Sequence, residues 1–292
     1  MNVKVMVCCH KKDVMISEYP YYPIHVGKER SFLDIGIPGD NTGDNISEKN
    51  DCYCELTGMY WAWKNLKGVD IIGLCHYRRY FDFHNQCKSY LPFTTFSTES
   101  ISQLDFTIPA KYIKFVAEGK IVVAKEKIYR FPLYIDFCIQ HYSDDFRIMT
   151  YVIKKSQPEN IKKAFYDIMI KGNKLSMCNM FLMNWNDFES YCNWIFNLLE
   201  EIESLSNISN YNPRQKRIYG FMSERLLNVW LVANKKNLIH KPILVLDDNS
   251  STRIVECLSN IPKYFISRLN RRNISYKEWL NADIDPYYNI LL

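Results

Sequence analysis

The sequence predicts an α/β fold built around a mainly parallel central sheet. Short apolar runs typical of buried strands alternate along the chain with longer segments of helical spacing, which is the pattern of strand–helix–strand units. Polar residues follow two of these runs, as expected where ligands bind at the strand ends of such a sheet. The 292 residues are 47% hydrophobic, which is enough to bury a sizeable core. We therefore expect one large domain.

The first part of the chain begins with a strand. Val3 to Cys9 is an apolar run of β-branched character, and we predict a buried parallel strand there. Residues 17–50 are rich in Pro, Gly, Asp and Asn, and they are predicted to form irregular loops. Residues 54–66 have helical spacing, and residues 69–75 (VDIIGLC) form the second predicted strand.

The alternation continues in the second part. Residues 84–118 are predicted to be a helical insertion, and residues 120–124 (KIVVA) a third strand. Residues 134–170 are largely helical in pattern, with Pro158 beginning a new helix. The later predicted elements are a strand at 177–184, helices at 186–204 and 223–233, and a strand at 241–246.

Composition limits the classes of function. The net charge of +5 is too small to argue for nucleic acid, and the basic residues follow no known nucleic-acid module. The ten cysteines show no zinc spacing, since Cys8-Cys9 and Cys52-x-Cys54 are too tight. The N-terminus has no secretory signal pattern, and no run approaches the roughly 20 apolar residues that cross a bilayer. We expect a cytoplasmic protein that is soluble or attached only at a membrane surface.

The segment from Gly39 to Phe81 is the densest in groups suited to a ligand. It interleaves amides, carboxylates and cations with large aromatic rings. Rings stack on the faces of sugars and bases, while amides and carboxylates bind hydroxyl groups. The segment therefore predicts a small-molecule site.

The order of motifs resembles a known family. GDNIS-x-KN, YCELTG-x-YWAWKN, GLCHYRRYF, CNMF and GF-x-SERL-x-NVWL follow one another over roughly residues 2–235. This resembles a bacterial glycosyltransferase family of capsular, exopolysaccharide and lipopolysaccharide biosynthesis, whose defining domain was long catalogued as a domain of unknown function. The resemblance implies a GT-A-like single Rossmann-type domain and a transferase that uses a nucleotide-sugar donor. Some members are associated with galactofuranose transfer.

Basic residues follow the second predicted strand, where GT-A enzymes usually place a metal-binding DxD motif. Arg78 and Arg79 are expected to neutralise the diphosphate of a UDP-sugar directly. The alternative is that one arginine pairs with a carboxylate and the other is solvated. Four further residues at the two strand ends are also assigned to donor binding: His10, Lys11, His76 and Tyr77.

Other polar positions have both a functional and a structural interpretation. Asp44, Asn45, Lys49 and Asn50 are assigned to the donor or to an acceptor lip, with Asx turns and a helix cap as the alternative. Asn179 in the CNMF motif is assigned to the donor sugar, with capping of the following turn as the alternative.

An inverting transfer requires a carboxylate that takes the proton of the acceptor hydroxyl. Glu224, Asp144 and Asp145 are the candidates for this base, and Arg225 is assigned to the donor. The structural alternative places Ser223 at the N-cap of a helix and Glu224 in its first turn.

We assign no metal ligands. Asp283-x-Asp285 is a literal DxD outside the motif block, and Asp247-Asp248 follows a late strand, but both are ordinary turn sequences. Whether Mn²⁺ or Mg²⁺ is required stays open at this point.

We predict a main domain of residues 1–250 and a C-terminal tail of residues 251–292. The tail segment from Ile261 to Trp279 mixes cations with aromatic residues, which suits an anionic membrane interface. A helix simply packed on the domain is the alternative.

The resulting hypothesis is a hexosyltransferase, with galactofuranosyl as the favoured sugar. It takes a UDP-sugar donor and an undecaprenyl-diphosphate-linked glycan acceptor at the inner leaflet of the cell membrane. The alternative is a non-catalytic nucleotide-sugar- or glycan-binding module of a polysaccharide assembly complex.

Overall fold

The structure, a computed structural model, describes residues 1–87, 91–248 and 274–282. The apolar runs form strands, and the segments of helical spacing between them form helices. The strands are β1 (Val3–Cys9), β2 (Tyr21–His25), β3 (Ile71–His76), β4 (Arg79–Phe81), β5 (Phe93–Phe96), β6 (Lys120–Ala124), β7 (Lys127–Ile128), β8 (Lys174–Leu175), β9 (Phe181–Asn184), β10 (Asn237–Lys241) and β11 (Ile243–Leu246).

The helices follow the same order. They are α1 (Asn50–Tyr53), α2 (Leu56–Asn65), α3 (Ala110–Ala117), α4 (Leu133–Gln140), α5 (Ser143–Ser156), α6 (Glu159–Phe165), α7 (Trp185–Leu205), α8 (Pro213–Lys216), α9 (Ile218–Ala233) and α10 (Tyr276–Asn281). In the described ranges, no helix is both long enough and apolar enough to cross a membrane.

The main sheet has the strand order β10-β6-β9-β3-β4-β11-β5, and β1 lies between β2 and β3. The α/β class is confirmed, but the sheet is mixed rather than mainly parallel. Strands β4 and β9 run antiparallel to both of their neighbours. The reversal at β4 has a local cause: His76 pairs with Arg79, so Tyr77 and Arg78 form a two-residue hairpin turn, and such a turn necessarily joins antiparallel strands.

Two regions differ from the sequence prediction. The expected helical insertion at 84–118 contains the strand β5, which pairs in parallel with β11. The expected irregular loops at 17–50 contain β2, which pairs in parallel with β1. Both strands are short and carry polar or Pro residues, so their sequences lack the continuous apolar run of a central strand.

The described residues form two compact units. The first contains Met1–Glu126, Ser176–Cys192 and residues 236–248, and the second contains Lys127–Leu175, Asn193–Lys235 and residues 274–282. The prediction of a 1–250 domain followed by a tail stays a prediction.

Each unit has its own buried core. In the first, the aliphatic side chains of the main sheet and of α3 pack together, with Val7 and Val116 fully buried. In the second, aromatic rings pack in sequence, with Phe146 6.0 Å from Phe165 and Phe165 6.0 Å from Trp279 between ring centroids. Burial of such rings is a major source of stability.

Part of the predicted tail is described. Helix α10 begins with a capping box in which Ser275 and Glu278 bond reciprocally, and its Trp279 is buried. Lys154 donates to the carbonyl oxygens of Trp279 and Ala282 at the end of the helix. These residues are packed as the alternative interpretation expects. The basic and aromatic residues at 261–273 lie outside the described residues, as do Asp283 and Asp285.

Candidate functional site

The hairpin turn between β3 and β4 carries the basic motif. Arg78 Nη2 lies 2.8 Å from Asp13 Oδ2, and Arg78 Nη1 lies 3.7 Å from Asp247 Oδ1. The Arg78 side chain is 30% exposed, whereas that of Asp13 is only 9% exposed. Two carboxylates therefore share one guanidinium, at the ends of β1 and β11. We refer to His10, Lys11, Asp13, Tyr77, Arg78 and Asp247 as the Arg78 cluster.

The residues after β1 join this cluster because β1 and β3 are parallel neighbours, with Cys8 paired to His76. The rings of His10 and Tyr77 meet edge to face, 5.4 Å apart. Lys11 Nζ lies 5.9 Å from the Tyr77 ring and 3.5 Å from Asp13 Oδ2. The structure thus brings together the two strand ends, as the strand-end argument predicts.

The cluster is largely charge-compensated. Burial raises the pKa of Asp13, but hydrogen bonds from the Val14 amide and the Arg78 guanidinium outweigh it and hold that pKa below its usual value. Burial lowers the pKa of Arg78, and the Asp13 carboxylate outweighs it in the opposite direction. Arg79 is exposed. The geometry matches the alternative interpretation of one paired and one solvated arginine, and a role in diphosphate binding stays a prediction.

The loop before α1 is organised by a carboxylate. Asp40 is fully buried and accepts hydrogen bonds from the backbone of Gly27 at 3.0 Å and of Lys28 at 3.1 Å, and from the Ser47 hydroxyl. A buried carboxylate is retained only when it is bonded in this way. Asp40 therefore fixes the path of the loop that carries the GDNIS-x-KN motif.

The donor candidates on this loop have structural partners. Asn45 accepts from the Ser47 amide at 3.1 Å, which is an Asx turn. Asn50 donates to the Cys54 carbonyl at 2.7 Å, and Lys49 lies over the Tyr53 ring at 5.5 Å. Asp44 accepts from the Tyr60 hydroxyl at 3.2 Å.

A second arrangement lies beside the Arg78 cluster, in the same unit. Asn179 is buried, and its Nδ2 donates to Glu55 Oε1 at 2.7 Å. His76 Nε2 lies 2.7 Å from the Cys178 carbonyl oxygen. Cys178 and Asn179 both have left-handed backbones, with φ of 72° and 50°. Consecutive non-glycine residues in this region are unusual, and they persist where the surroundings hold them.

Glu55 was not among the sequence candidates. Its place in the YCELTG motif was the only indication in the sequence. Helical spacing alone did not define whether the Glu55 side chain faces the crevice or solvent. The Asn179 contact defines that direction. Burial, and then the negative charge of Glu55, raise the pKa of the Cys8 thiol well above its usual value.

The carboxylate candidates of the α5 region lie in the second unit. Asp144 is 64% exposed and pairs with Arg147 at 2.7 Å. Asp145 is buried, and its Oδ1 accepts from the Tyr211 hydroxyl at 2.9 Å. Burial raises the pKa of Asp145 to about 6. His141 is buried as well, and burial lowers its pKa to about 4.

Glu224 and Arg225 lie inside α9 rather than at its start. The helix begins at Ile218, so the alternative that made Ser223 an N-cap is wrong, and its hydroxyl donates to the Gly220 carbonyl at 2.8 Å. The helix starts earlier because the apolar residues before Ser223 continue the helical pattern. Arg225 is buried, donates to the Phe221 carbonyl at 2.9 Å and lies 3.6 Å from Glu224 Oε2.

Among the residues that the structure describes, no group of three or more His, Cys, Asp or Glu side chains is arranged to hold a metal ion. Asp247 is engaged with Arg78, and Asp248 accepts from the Thr98 amide and hydroxyl, each at 2.8 Å.

The chain is similar to a solved structure. It aligns with the apo structure of the bifunctional glycosyltransferase WbbM with 26% sequence identity and a TM-score of 0.73. The alignment covers 85% of this chain and 46% of that chain, so this chain spans about half the length of the solved protein. The GT-A-like fold implied by the motifs is thereby confirmed.

No curated protein sequence matches this chain. A family model does match, over residues 4–236, which is most of the chain. The family is described as a domain of unknown function, DUF4422. The match covers every residue of the Arg78 cluster except Asp247, and it covers both Glu55 and Asn179. This chain belongs to the DUF4422 family.

Proposed function

We propose that this chain is a glycosyltransferase that moves a hexosyl group from a UDP-sugar to a lipid-linked surface-polysaccharide acceptor. The observation that carries the proposal is the similarity to a named glycosyltransferase over 85% of this chain. That protein is described as bifunctional, and this chain aligns with 46% of it. We therefore propose one transfer reaction for this chain, with galactofuranose as the first sugar to test.

The Arg78 cluster is the proposed site of the donor diphosphate. The leaving UDP gains negative charge as the bond to the sugar breaks, and fixed cations beside it lower the barrier. The positive charge at these strand ends comes from Lys11, Arg78 and the exposed Arg79. In the proposed donor complex, Arg78 keeps its pair with Asp13. The diphosphate replaces Asp247, whose Oδ1 lies 3.7 Å from Arg78 Nη1, as the second partner of the guanidinium. The Tyr77 ring between these cations is the proposed surface for the uracil base.

We propose that these cations do the work that a metal ion does in other transferases of this fold. The support is that two cations, Arg78 and the exposed Arg79, lie at the turn that directly follows β3. The reaction is then a single displacement with inversion. The acceptor oxygen attacks the anomeric carbon, the bond to the diphosphate breaks, and UDP leaves with the electron pair.

The acceptor that we propose is an undecaprenyl-diphosphate-linked glycan, which would bring the enzyme to the inner face of the bacterial cell membrane. Residues 261–273, which carry the basic and aromatic pattern expected at a lipid surface, lie outside the described residues. A flotation assay with anionic vesicles tests this part of the proposal, and a chain that stays in the soluble fraction at low salt would contradict it.

Titration of the chain with UDP, GDP and CMP, each with Mn²⁺ and with EDTA, tests the donor site. We expect selective stabilisation by UDP that survives EDTA. A requirement for Mn²⁺ would contradict the substitution of arginine for metal. UDP binding without any consumption of UDP-galactofuranose or UDP-galactose, when glycan-lipid acceptors are present, would instead favour a non-catalytic binding module.

A further inference from the structure

Glu55 is held at a break between two helices. Cys54 separates α1 from α2 with φ of 54° and ψ of −131°, a backbone region that a residue with a side chain rarely adopts. Two side chains hold this break: Asn50 donates to the Cys54 carbonyl at 2.7 Å, and Thr57 donates to it at 3.1 Å. Because the strained residue immediately precedes Glu55, the break fixes the position of the Glu55 backbone.

The carboxylate is fixed from the other side by a second strained segment. Asn179 donates to Glu55 Oε1 at 2.7 Å, and the two residues are 124 positions apart in the chain. The same turn is held by His76, whose Nε2 lies 2.7 Å from the Cys178 carbonyl. Two unusual backbone segments thus converge on one side chain. Strain of this kind is retained where the geometry it produces is used.

The position of Glu55 relates it to the proposed donor site. The Cys8 thiol lies 3.8 Å from the Glu55 carbonyl oxygen, and Cys8 pairs with His76 across β1 and β3. His76 is followed directly by the hairpin turn that carries Arg78. Glu55 therefore lies at the C-terminal ends of β1 and β3, the two strands that lead into the Arg78 cluster.

Two other carboxylates of the same unit are ion-paired, and a third is fully buried. Asp13 and Asp247 share the Arg78 guanidinium, and such ion pairing favours the charged form but weakens a carboxylate as a base. Asp40 is fully buried and accepts three hydrogen bonds. Glu55 is half-buried, and its bond from Asn179 is to a neutral amide. A carboxylate oriented by a neutral amide is suited to general base catalysis.

We propose, on the basis of the glycosyltransferase function above, that Glu55 is the catalytic base and that Asn179 is its positioning residue. The acceptor hydroxyl gives its proton to the Glu55 carboxylate as its oxygen bonds to the anomeric carbon. The sugar–diphosphate bond breaks at the same time, and its electron pair leaves with UDP. Glu55 takes the role that the sequence had assigned to Glu224, Asp144 or Asp145, which lie in the second unit.

The first variant is Glu55→Gln, which keeps an oxygen to accept from Asn179 but removes the ability to take a proton. We expect kcat to fall by about 10²–10⁴-fold while the donor KM stays within about twofold, because general base catalysis contributes on that scale. The acidic limb of the wild-type kcat profile against pH should disappear with the carboxylate. Glu48→Gln changes an exposed carboxylate of the same chemistry and serves as the matched control.

The second variant is Asn179→Gly, which removes the amide but suits the left-handed backbone of this position. A fall in kcat of about tenfold or more with an unchanged donor KM is expected, because the carboxylate loses its orientation. Since glycine relieves rather than adds backbone strain, loss of activity here is not caused by a conflict of the new residue with its backbone.

The third variant is Glu55→Asp, which keeps the charge but is too short to hold the same position. It should show less than a tenth of the wild-type kcat and should retain the acidic limb of the pH profile.

The outcomes separate this inference from the proposed function. If the wild type transfers sugar and Glu55→Gln is equally active, Glu55 is not the catalytic base, and the proposed transferase function still holds. A raised donor KM with normal kcat in Glu55→Gln would overturn the base in favour of sugar binding. A wild-type chain that binds UDP and transfers to no offered glycan-lipid acceptor would overturn the proposed function, and the base with it.

Discussion

The Arg78 cluster and the Asp145 region use similar residues in opposite environments. Arg78 and Asp13 lie at strand ends, where both stay charged and compensate each other. Asp145 and His141 are buried in the second unit, and burial moves the pKa of each towards its neutral form. Ion pairing preserves charge, whereas burial removes it. Carboxylates of the same type are thus held charged by an ion pair in one region and driven towards the neutral form by burial in the other. Turnover and unfolding measurements test the two regions separately.

The largest expected effect is on turnover at the Arg78 cluster. Changing Arg78 and Arg79 together to Ala should lower transfer by about 10²–10⁴-fold, since each charge-assisted hydrogen bond contributes about 1.5–3 kcal/mol. Steady-state kinetics with a UDP-sugar donor measures it. Arg30→Ala is the matched control because Arg30 also pairs with a carboxylate, Asp51, at 3.1 Å on the surface. Near-normal turnover of the double variant would contradict a catalytic role for the two arginines.

The second prediction concerns acid stability in the second unit. His141 has a lowered pKa in the fold, so the unfolded chain binds the proton more readily and stability is lost as the pH falls from about 6.5 to about 4. The loss amounts to about 3 kcal/mol at most. Denaturant unfolding across this range should show a shallower decline in His141→Gln than in the control His240→Gln, which changes an exposed histidine. Identical slopes would contradict the burial of a neutral His141.

Asp145 should act in the opposite sense. Its folded pKa is raised, so its stabilising contribution is complete below about pH 4 and is lost as the pH rises through about 6. Asp145→Asn should therefore be more stable than the wild type at pH 7.5, by roughly 2–3 kcal/mol, with the difference closing in acid. Glu200→Gln, which neutralises an exposed carboxylate on α7 of the same unit, is the control. Lost turnover in the stabilised Asp145→Asn would return this residue to the catalytic role.

The smallest predicted effect distinguishes turn residues from donor contacts. Asn45→Ala removes the Asx turn and should lower the free energy of unfolding by about 1 kcal/mol. Affinity for UDP should stay within about twofold, as calorimetric titration can measure. A tenfold loss of UDP affinity at unchanged stability would instead place Asn45 in the donor site.

Much of the fold could be predicted because its signals are local. The β-branched run of β1 and the helical spacing of α2 and α7 were recognised from their own sequences. The antiparallel course of β4 was not, because a two-residue turn at Tyr77-Arg78 carries none of the Gly or Asn that usually marks a hairpin. Strand β5 was missed because its FTTF sequence has no continuous apolar run.

The candidate site was predictable only in part, for a related reason. The sequence by itself determined that polar residues follow β1 and β3 and, since parallel neighbours end at one edge, that His10 and Tyr77 come together. The tertiary structure alone decided that Arg78 is shared by Asp13 and Asp247, that Asn179 bonds Glu55 and that Asp145 is buried. Periodicity reports which face of an element is apolar, but pairing and burial depend on distances through space between residues far apart in the chain.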